Sequence, residues 1–417
     1  MPISATLAAN ESITLKRQSG QYVLPLGFGE AGLPVHDSLT SVLADHADRN
    51  SYGPVAGVPR LRHAAAGYWN RRGLPTEAEA VIAGPGSKSL LYALLMAVGG
   101  DAVLTRPSWV SYAAQVEMLG CSPLLVPTLP GQGGVPDPDL LEDHLDHARA
   151  VGRDVRAIVV TLPDNPTGTM AAPEVIRRVC RIAREYRLII ISDEIYRDLV
   201  FDPKLTYLSP ADVAPERTVI TTGLSKNLAL GGWRIGVART PDGETGRELR
   251  DKLLDIASEL WSSPSQPVQF AAAHAFDEPD DLREHIAQSR RLHATVARAV
   301  ADRFAAAGAL VRRPTGGFYL YPDLAPFREH LEHRFGVRTG VDLTELLLER
   351  YAVGVLPGSA FGDGVKELRI RVATSQLYGD TTRQRVAALR SAYPLLLPWV
   401  ARALDRLDEV LTDLTVS

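Results

Sequence analysis

At 417 residues, 45% hydrophobic and 23% charged, the chain is longer than one ordinary core requires and has a globular composition that excludes long disordered tracts. Its 45 basic and 49 acidic residues leave a net charge of −4, which predicts no nucleic-acid partner, and Cys121 and Cys180 are too few for a disulfide framework or a thiolate metal site. The start lacks the basic and apolar regions of a secretory signal, and no apolar run approaches the ~20 residues that cross a bilayer, so a cytoplasmic protein without membrane contact is expected.

Along the chain, residues 1–48 hold no core of their own and are expected to form an arm and part of a smaller domain. Gly27-Phe-Gly-Glu-Ala-Gly32 fits the dinucleotide pattern GxGxxG, but Pro34 follows too soon for the helix that pattern needs. Between residues 80 and 240, short apolar runs alternate with helical periodicity, as in parallel α/β domains. The predicted strands are 80–83, 101–105, 157–161, 188–192 and 218–222. Gly86-Ser87-Lys88 follows the first strand and opens a helix, where backbone N–H groups suit a phosphate. A P-loop is excluded because Ile82 stands where its first glycine belongs.

His144 and His147 sit three apart in a charged run and read as a solvated helix face, so no metal site is predicted. Pro173 to Tyr186 reads as a crossover helix with Val175, Val179 and Ile182 on one face. Three strands of the large domain, 49–286, end in Asp164-Asn165, in Asp193-Glu194-Ile195-Tyr196 and in Ser225-Lys226. The carboxyl ends of parallel strands open on one crevice, which predicts that Asn165, Asp193, Tyr196 and Lys226 converge.

Beyond residue 245 long helices take over, and Leu292, Val296, Val300 and Phe304 form an i, i+4 stripe closed by Gly308. Residues 317–322, 352–357 and 368–373 read as strands of a small C-terminal domain, 287–417, flanked by helical stretches 342–350 and 383–413. The expected fold is α/β: a mostly parallel central sheet in the large domain, plus a smaller discontinuous α+β domain.

These residue types suit pyridoxal 5′-phosphate, which needs an amine for its aldehyde, a carboxylate for its pyridine nitrogen, donors to its phenolic oxygen, an aromatic face and an anion cup. Asn165-Pro-Thr-Gly, Ser192-Asp-Glu-Ile-Tyr and Ser225-Lys-Asn-Leu-Ala-Leu-Gly-Gly-Trp-Arg-Ile-Gly resemble the motifs of class I/II aminotransferases, fold type I pyridoxal-phosphate enzymes. Tyr52-Gly-Pro-Val-Ala-Gly, Pro107-Ser-Trp-Val-Ser-Tyr, Gly316-Gly-Phe-Tyr, Pro357-Gly-Ser-Ala-Phe-Gly and Leu368-Arg-Ile-Arg-Val-Ala-Thr-Ser extend that resemblance in the family's order.

The resemblance implies that Lys226 carries the cofactor as a Schiff base and moves the substrate proton. It places Asp193 at the pyridine nitrogen, Asn165 and Tyr196 at the phenolic oxygen, and Trp109 on the ring. Gly86, Ser87, Lys88, Ser225 and Arg234 then surround the phosphate. It further implies that Tyr52 reaches the site of a second subunit in a homodimer, and that Arg369 clamps the substrate carboxylate near Asn165 and the Gly29 loop. Strand alternation alone leaves Arg369 and Arg371 on one face; the motif favours Arg369.

Two departures stand out. Gly223 replaces a serine three residues before the lysine, leaving Thr222 as the candidate hydroxyl, and Gly29-Glu-Ala-Gly-Leu33 alters a loop near the substrate. No arginine between Ser258 and Gln269 is assignable to a second substrate carboxylate, so a dicarboxylate specialist is not indicated. The expected activity is transfer of an amino group from an L-α-amino acid to a 2-oxo acid by a ping-pong mechanism. The alternative on the same scaffold is a lyase, cyclase, decarboxylase or oxidase.

Overall fold

The computed structural model describes residues 11 to 415 except 12 and 17. Part of the predicted arm, residues 1–10, therefore lies outside the described residues. The central sheet has seven strands: β1 (Val81–Gly84), β2 (Asp101–Arg106), β3 (Pro123–Pro127), β4 (Val155–Thr161), β5 (Ile189–Asp193), β6 (Thr218–Gly223) and β7 (Gly236–Arg239). Their spatial order is β1-β7-β6-β5-β4-β2-β3, with β7 antiparallel to both neighbours and the remaining pairs parallel.

Both faces of this sheet are covered, which is why its strands read as continuous apolar runs. Ala157, Val159, Ile189 and Ile191 face one cluster, while Ile158, Val160 and Ile190 face another. The five predicted strands are present to within two residues at each end. Two were missed. In β3, prolines bracket Leu-Leu-Val, which the sheet tolerates because β3 is its edge. In β7, four residues start at Gly236 and end at the buried Arg239, too short and too polar for a strand pattern.

The crossover helix spans Pro173–Glu185 and buries the expected Val179 and Ile182 together with Ile176, Cys180 and Ala183, while Val175 lies at the margin. The 27-residue helix Asp280–Ala306 buries Leu282 in a cluster beside the sheet, and Leu292, Val296, Val300 and Phe304 in a separate core. That second core also takes Leu24, Leu26 and Leu33, and Leu24–Pro25 pairs in parallel with Val353–Gly354. A three-stranded antiparallel sheet, Leu356–Pro357, Ile370–Ala373 and Tyr319–Leu320, completes it. The predicted helical stretch 383–413 is two helices, Thr382–Arg390 and Pro398–Thr415, because Pro394 and Pro398 break the backbone ladder between them.

Candidate active site

At the carboxyl edge of the sheet lies a cavity of about 400 Å³. β2 leads to Trp109, β4 to Asn165, β5 ends in Asp193 and leads to Tyr196, and β6 leads to Ser225 and Lys226; all six line the cavity. The helix Ser87–Val98 contributes Ser87 and Lys88 from its first turn, and Arg234 closes the same side. Gly86 backs this corner with φ +86, and a Cβ there would fall 2.3 Å from Arg234 Nη2. Arg234 itself holds a left-handed backbone, φ 52, while its guanidinium donates to the carbonyls of Gly231 at 2.8 Å and Pro85 at 3.3 Å. The result is a small cationic corner on a helix N-terminus, a geometry suited to an anion.

Asp193 is 3% exposed and accepts only from neutral donors: Tyr112 Oη at 2.8 Å, the Ile195 N–H at 3.3 Å and Thr221 Oγ1 at 3.5 Å. Burial pushes its carboxyl up to about 6, against these donors and the more distant Lys226. Tyr112 Oη also lies 2.9 Å from Thr161 Oγ1. Tyr196 is buried with its hydroxyl 2.9 Å from that of Tyr319, and burial raises its pKa, with Tyr319 adding to the effect. Lys226 Nζ donates to the Gly29 carbonyl at 2.6 Å and sits 5.9 Å from the ring centres of Tyr196 and Phe318.

The N-terminal loop forms the opposite wall through Phe28, Gly29 and Glu30. Ser375 and Gln376 hold that loop by donating to the Glu30 carbonyl. Lys88 Nζ lies 5.0 Å over the Trp109 ring and has no acidic partner among the described residues. Burial lowers its pKa, and the positive charges of Arg234 and Lys226 add to that.

The arginine expected at the substrate is corrected by the structure. Arg369 does not line the cavity: Asp323, directly across an antiparallel bridge, accepts from its Nε at 2.9 Å, and Asp363 accepts from Nη1 at 3.2 Å. Arg371, one strand repeat further along the same face, lines the cavity and is 1% exposed. Its guanidinium donates to the Gly27 carbonyl and, at 3.4 Å, to Asn165 Oδ1, and lies 4.9 Å from the Tyr319 ring centre. It has no carboxylate partner among the described residues, and its Nε has no hydrogen-bond partner. Burial draws its pKa down.

Thr222, the hydroxyl expected to replace the missing serine, is turned away from the cavity toward the Glu194 carbonyl at 3.5 Å. A Cβ on Gly223 would meet the Ile235 carbonyl at 2.9 Å, so the neighbouring strand favours glycine there. Tyr52 stands outside the cavity of its own chain, 91% exposed. Tyr112, Tyr319 and Arg371 went unassigned in the sequence. Tyr112 lies one helical turn after Trp109, Tyr319 sits inside Gly316-Gly-Phe-Tyr, and Arg371 shares the face of Arg369, so each left a local trace.

Residues 24–379 match the family model for aminotransferase class I and II. A probable aspartate/prephenate aminotransferase of Thermus aquaticus is 31% identical over 382 residues, covering 90% of this chain and 94% of the relative. An aspartate aminotransferase of Geobacillus stearothermophilus is 30% identical over 393 residues, covering 92% and 95%. Among solved structures, the aspartate aminotransferase from Thermus thermophilus with maleate is similar at a TM-score of 0.82 and 28% identity, covering 98% of this chain and 97% of that one.

Proposed function

The chain belongs to the class I and II aminotransferases, and on that premise we propose that the cavity holds pyridoxal 5′-phosphate on Lys226 and takes an acidic amino acid and its 2-oxo acid as substrates. The observation that carries this is the convergence of Asp193, Lys226, Asn165, Tyr196 and Arg371 in one cavity from separate elements.

The residues fit the cofactor. Asp193 is a buried carboxylate with neutral donors and no ion pair among the described residues, and a protonated ring nitrogen would supply the missing positive charge. Trp109 offers a ring face, Asn165 and Tyr196 offer donors for the phenolic oxygen, and Ser87, Ser225 and Arg234 with Gly86 form the anion corner. When bound, the cofactor supplies an electron sink that makes the substrate Cα–H acidic. Lys226 Nζ would take the proton from that Cα, with the Gly29 carbonyl in reach to hold its ammonium form.

Arg371 orients the substrate by accepting its α-carboxylate on a planar fork. Lys88, expected from the sequence beside the phosphate, is instead read as the second substrate cation, since it lines the cavity over Trp109 with no acidic partner among the described residues. The relatives' names, aspartate and aspartate/prephenate aminotransferase, support that assignment, which departs from the sequence expectation that no second carboxylate is served. Four cations line the cavity against the carboxylates of Glu30 and Asp193, a balance suited to a phosphate and carboxylates together. We further propose a cytoplasmic homodimer in which the exposed Tyr52 reaches the phosphate of the partner's site.

Stopped-flow absorbance of the cofactor-loaded protein, mixed with single L-amino acids and no 2-oxo acid, tests this. Aspartate or glutamate is expected to convert the cofactor to its amine form, and a 2-oxo dicarboxylate to reverse it. Release of ammonia or carbon dioxide, or faster conversion by neutral amino acids than by acidic ones, would overturn the assignment.

A further inference from the structure

A buried charged network outside the cavity touches both loops that carry the site's central side chains. Asn227, adjacent to Lys226, donates from Nδ2 to Asp198 Oδ2 at 2.8 Å. Asp198, two residues after Tyr196, lies in the short 3₁₀ turn Arg197–Leu199 and accepts on Oδ1 from Arg72 Nη2 at 2.9 Å and Tyr68 Oη at 3.1 Å. Arg72 lies 3.5 Å over the Tyr68 ring and donates also to both carboxylate oxygens of Glu278. Arg71 adds a bond to Glu278 Oε2 at 2.8 Å.

Glu278 occupies the junction between the helices Gln266–Asp277 and Asp280–Ala306, with a left-handed φ of 55 that a non-glycine residue rarely adopts. From there the second helix runs into the core that packs the Arg371 strand. Asp198, Arg72 and Glu278 are thus one chain of contacts from the lysine loop to the base of that helix. Burial works against the Asp198 charge, yet Arg72 and Asn227 hold its carboxyl below the usual carboxylate range.

We infer that Asp198 is a positioning residue: held by Arg72, it fixes Asn227 and the turn below Tyr196, and so sets the angle at which Lys226 and Tyr196 meet in the cavity. This rests on the reading of Lys226 as the cofactor lysine. A network serving stability alone would need no contact beside both cavity residues. Here the hydrogen bond from Asn227 to Asp198 ties one cavity loop directly to the other. Misplacing a reacting amine by a fraction of an ångström slows proton transfer while leaving the carboxylate clamp to bind substrate.

The test compares Asp198→Asn, Asn227→Ala and Arg72→Lys with the parent holoenzyme. Asp198→Asn and Asn227→Ala are expected to lower kcat by roughly ten- to a hundredfold with little change in KM. The visible absorbance band of the loaded protein should shift in its pH midpoint. Arg72→Lys, which keeps the charge and loses the fork, is expected to fall between parent and Asp198→Asn. Asn227→Ala removes no charge, so it reports on positioning even where Asp198→Asn fails to fold. Variants that melt earlier yet keep the parent kcat, KM and band would overturn the inference. Borohydride reduction of the parent followed by peptide mass mapping keeps the premise separate: label absent from Lys226 would overturn the cofactor assignment itself.

Discussion

The floor and the wall of the cavity are built by different rules. The floor, Asn165, Asp193, Tyr196 and Lys226, hangs on the ends of buried parallel strands, whose hydrogen-bonded register holds each side chain at a set depth. The wall, Phe28, Gly29, Glu30 and Arg371, comes from a loop and a short strand of the other core, held by contacts such as Ser375 to the Glu30 carbonyl. Under the proposed function the proton chemistry belongs to the floor and the α-carboxylate contact to the wall, so mutations in the two regions should differ in kind.

Lys226→Ala should have the largest effect, because it removes both the anchor and the proton carrier. A loss of kcat of about 10⁴-fold or more is expected, together with the lysine-linked absorbance. Retained turnover would show that the floor does not carry the chemistry.

The sharpest contrast lies within one strand. Arg371→Met should raise KM or lower kcat/KM by roughly 10²-fold, the value of a charged, buried two-donor contact. Arg369→Met should leave kcat/KM within about threefold but lower stability, since the half-exposed guanidinium pairs with the largely buried carboxylates of Asp323 and Asp363. Steady-state kinetics beside urea melts would separate the two, and the reverse ranking would restore Arg369 to the site.

Lys88→Met tests whether selection also comes from the floor's side, where the helix Ser87–Val98 sets Lys88 over Trp109. It should lower kcat/KM for acidic substrates by about tenfold and leave neutral ones within a factor of about two. Equal losses for both classes would instead assign Lys88 to the cofactor phosphate.

A separate effect concerns the cofactor-free protein's stability rather than its turnover. Burial raises the Asp193 carboxyl to about 6 from the ordinary aspartate value of about 3.9, so the native state keeps a proton that the unfolded chain has lost between those values. Stability from this residue is intact below about pH 4, falls as pH rises toward 6, and stays reduced above, by a total of about 3 kcal/mol. Relative to Asp193→Asn, the parent should lose that amount across this window in urea melts, and binding the cofactor should recover part of it. A parallel pH dependence in both proteins would remove Asp193 as the cause.

Much of the floor was legible beforehand because a strand end is a local property: an apolar run followed by a polar, chemically capable residue marks it. The crevice among Asn165, Asp193, Tyr196 and Lys226 followed from three such runs without knowledge of their order in the sheet. Tyr112 could be placed on a helix, yet its bond to Asp193 depends on how the helix Val110–Met118 lies over β4 and β5. Edge strand β3, antiparallel β7 and the break at Pro394 escaped because short or proline-bound segments carry too little periodicity.

By itself the sequence determined the element types, the two-faced burial of the sheet and the residues at its carboxyl edge, since these depend on periodicity within a few neighbours. Tertiary structure alone decided which of Arg369 and Arg371 lines the cavity. Both point to one side of the same strand, and what separates them is Asp323 across an antiparallel bridge and Gly27 and Asn165 beyond it, partners 46, 344 and 206 residues away. Alternation along a strand assigns a face, whereas the depth of a side chain along that face is set by whatever the rest of the chain packs against it.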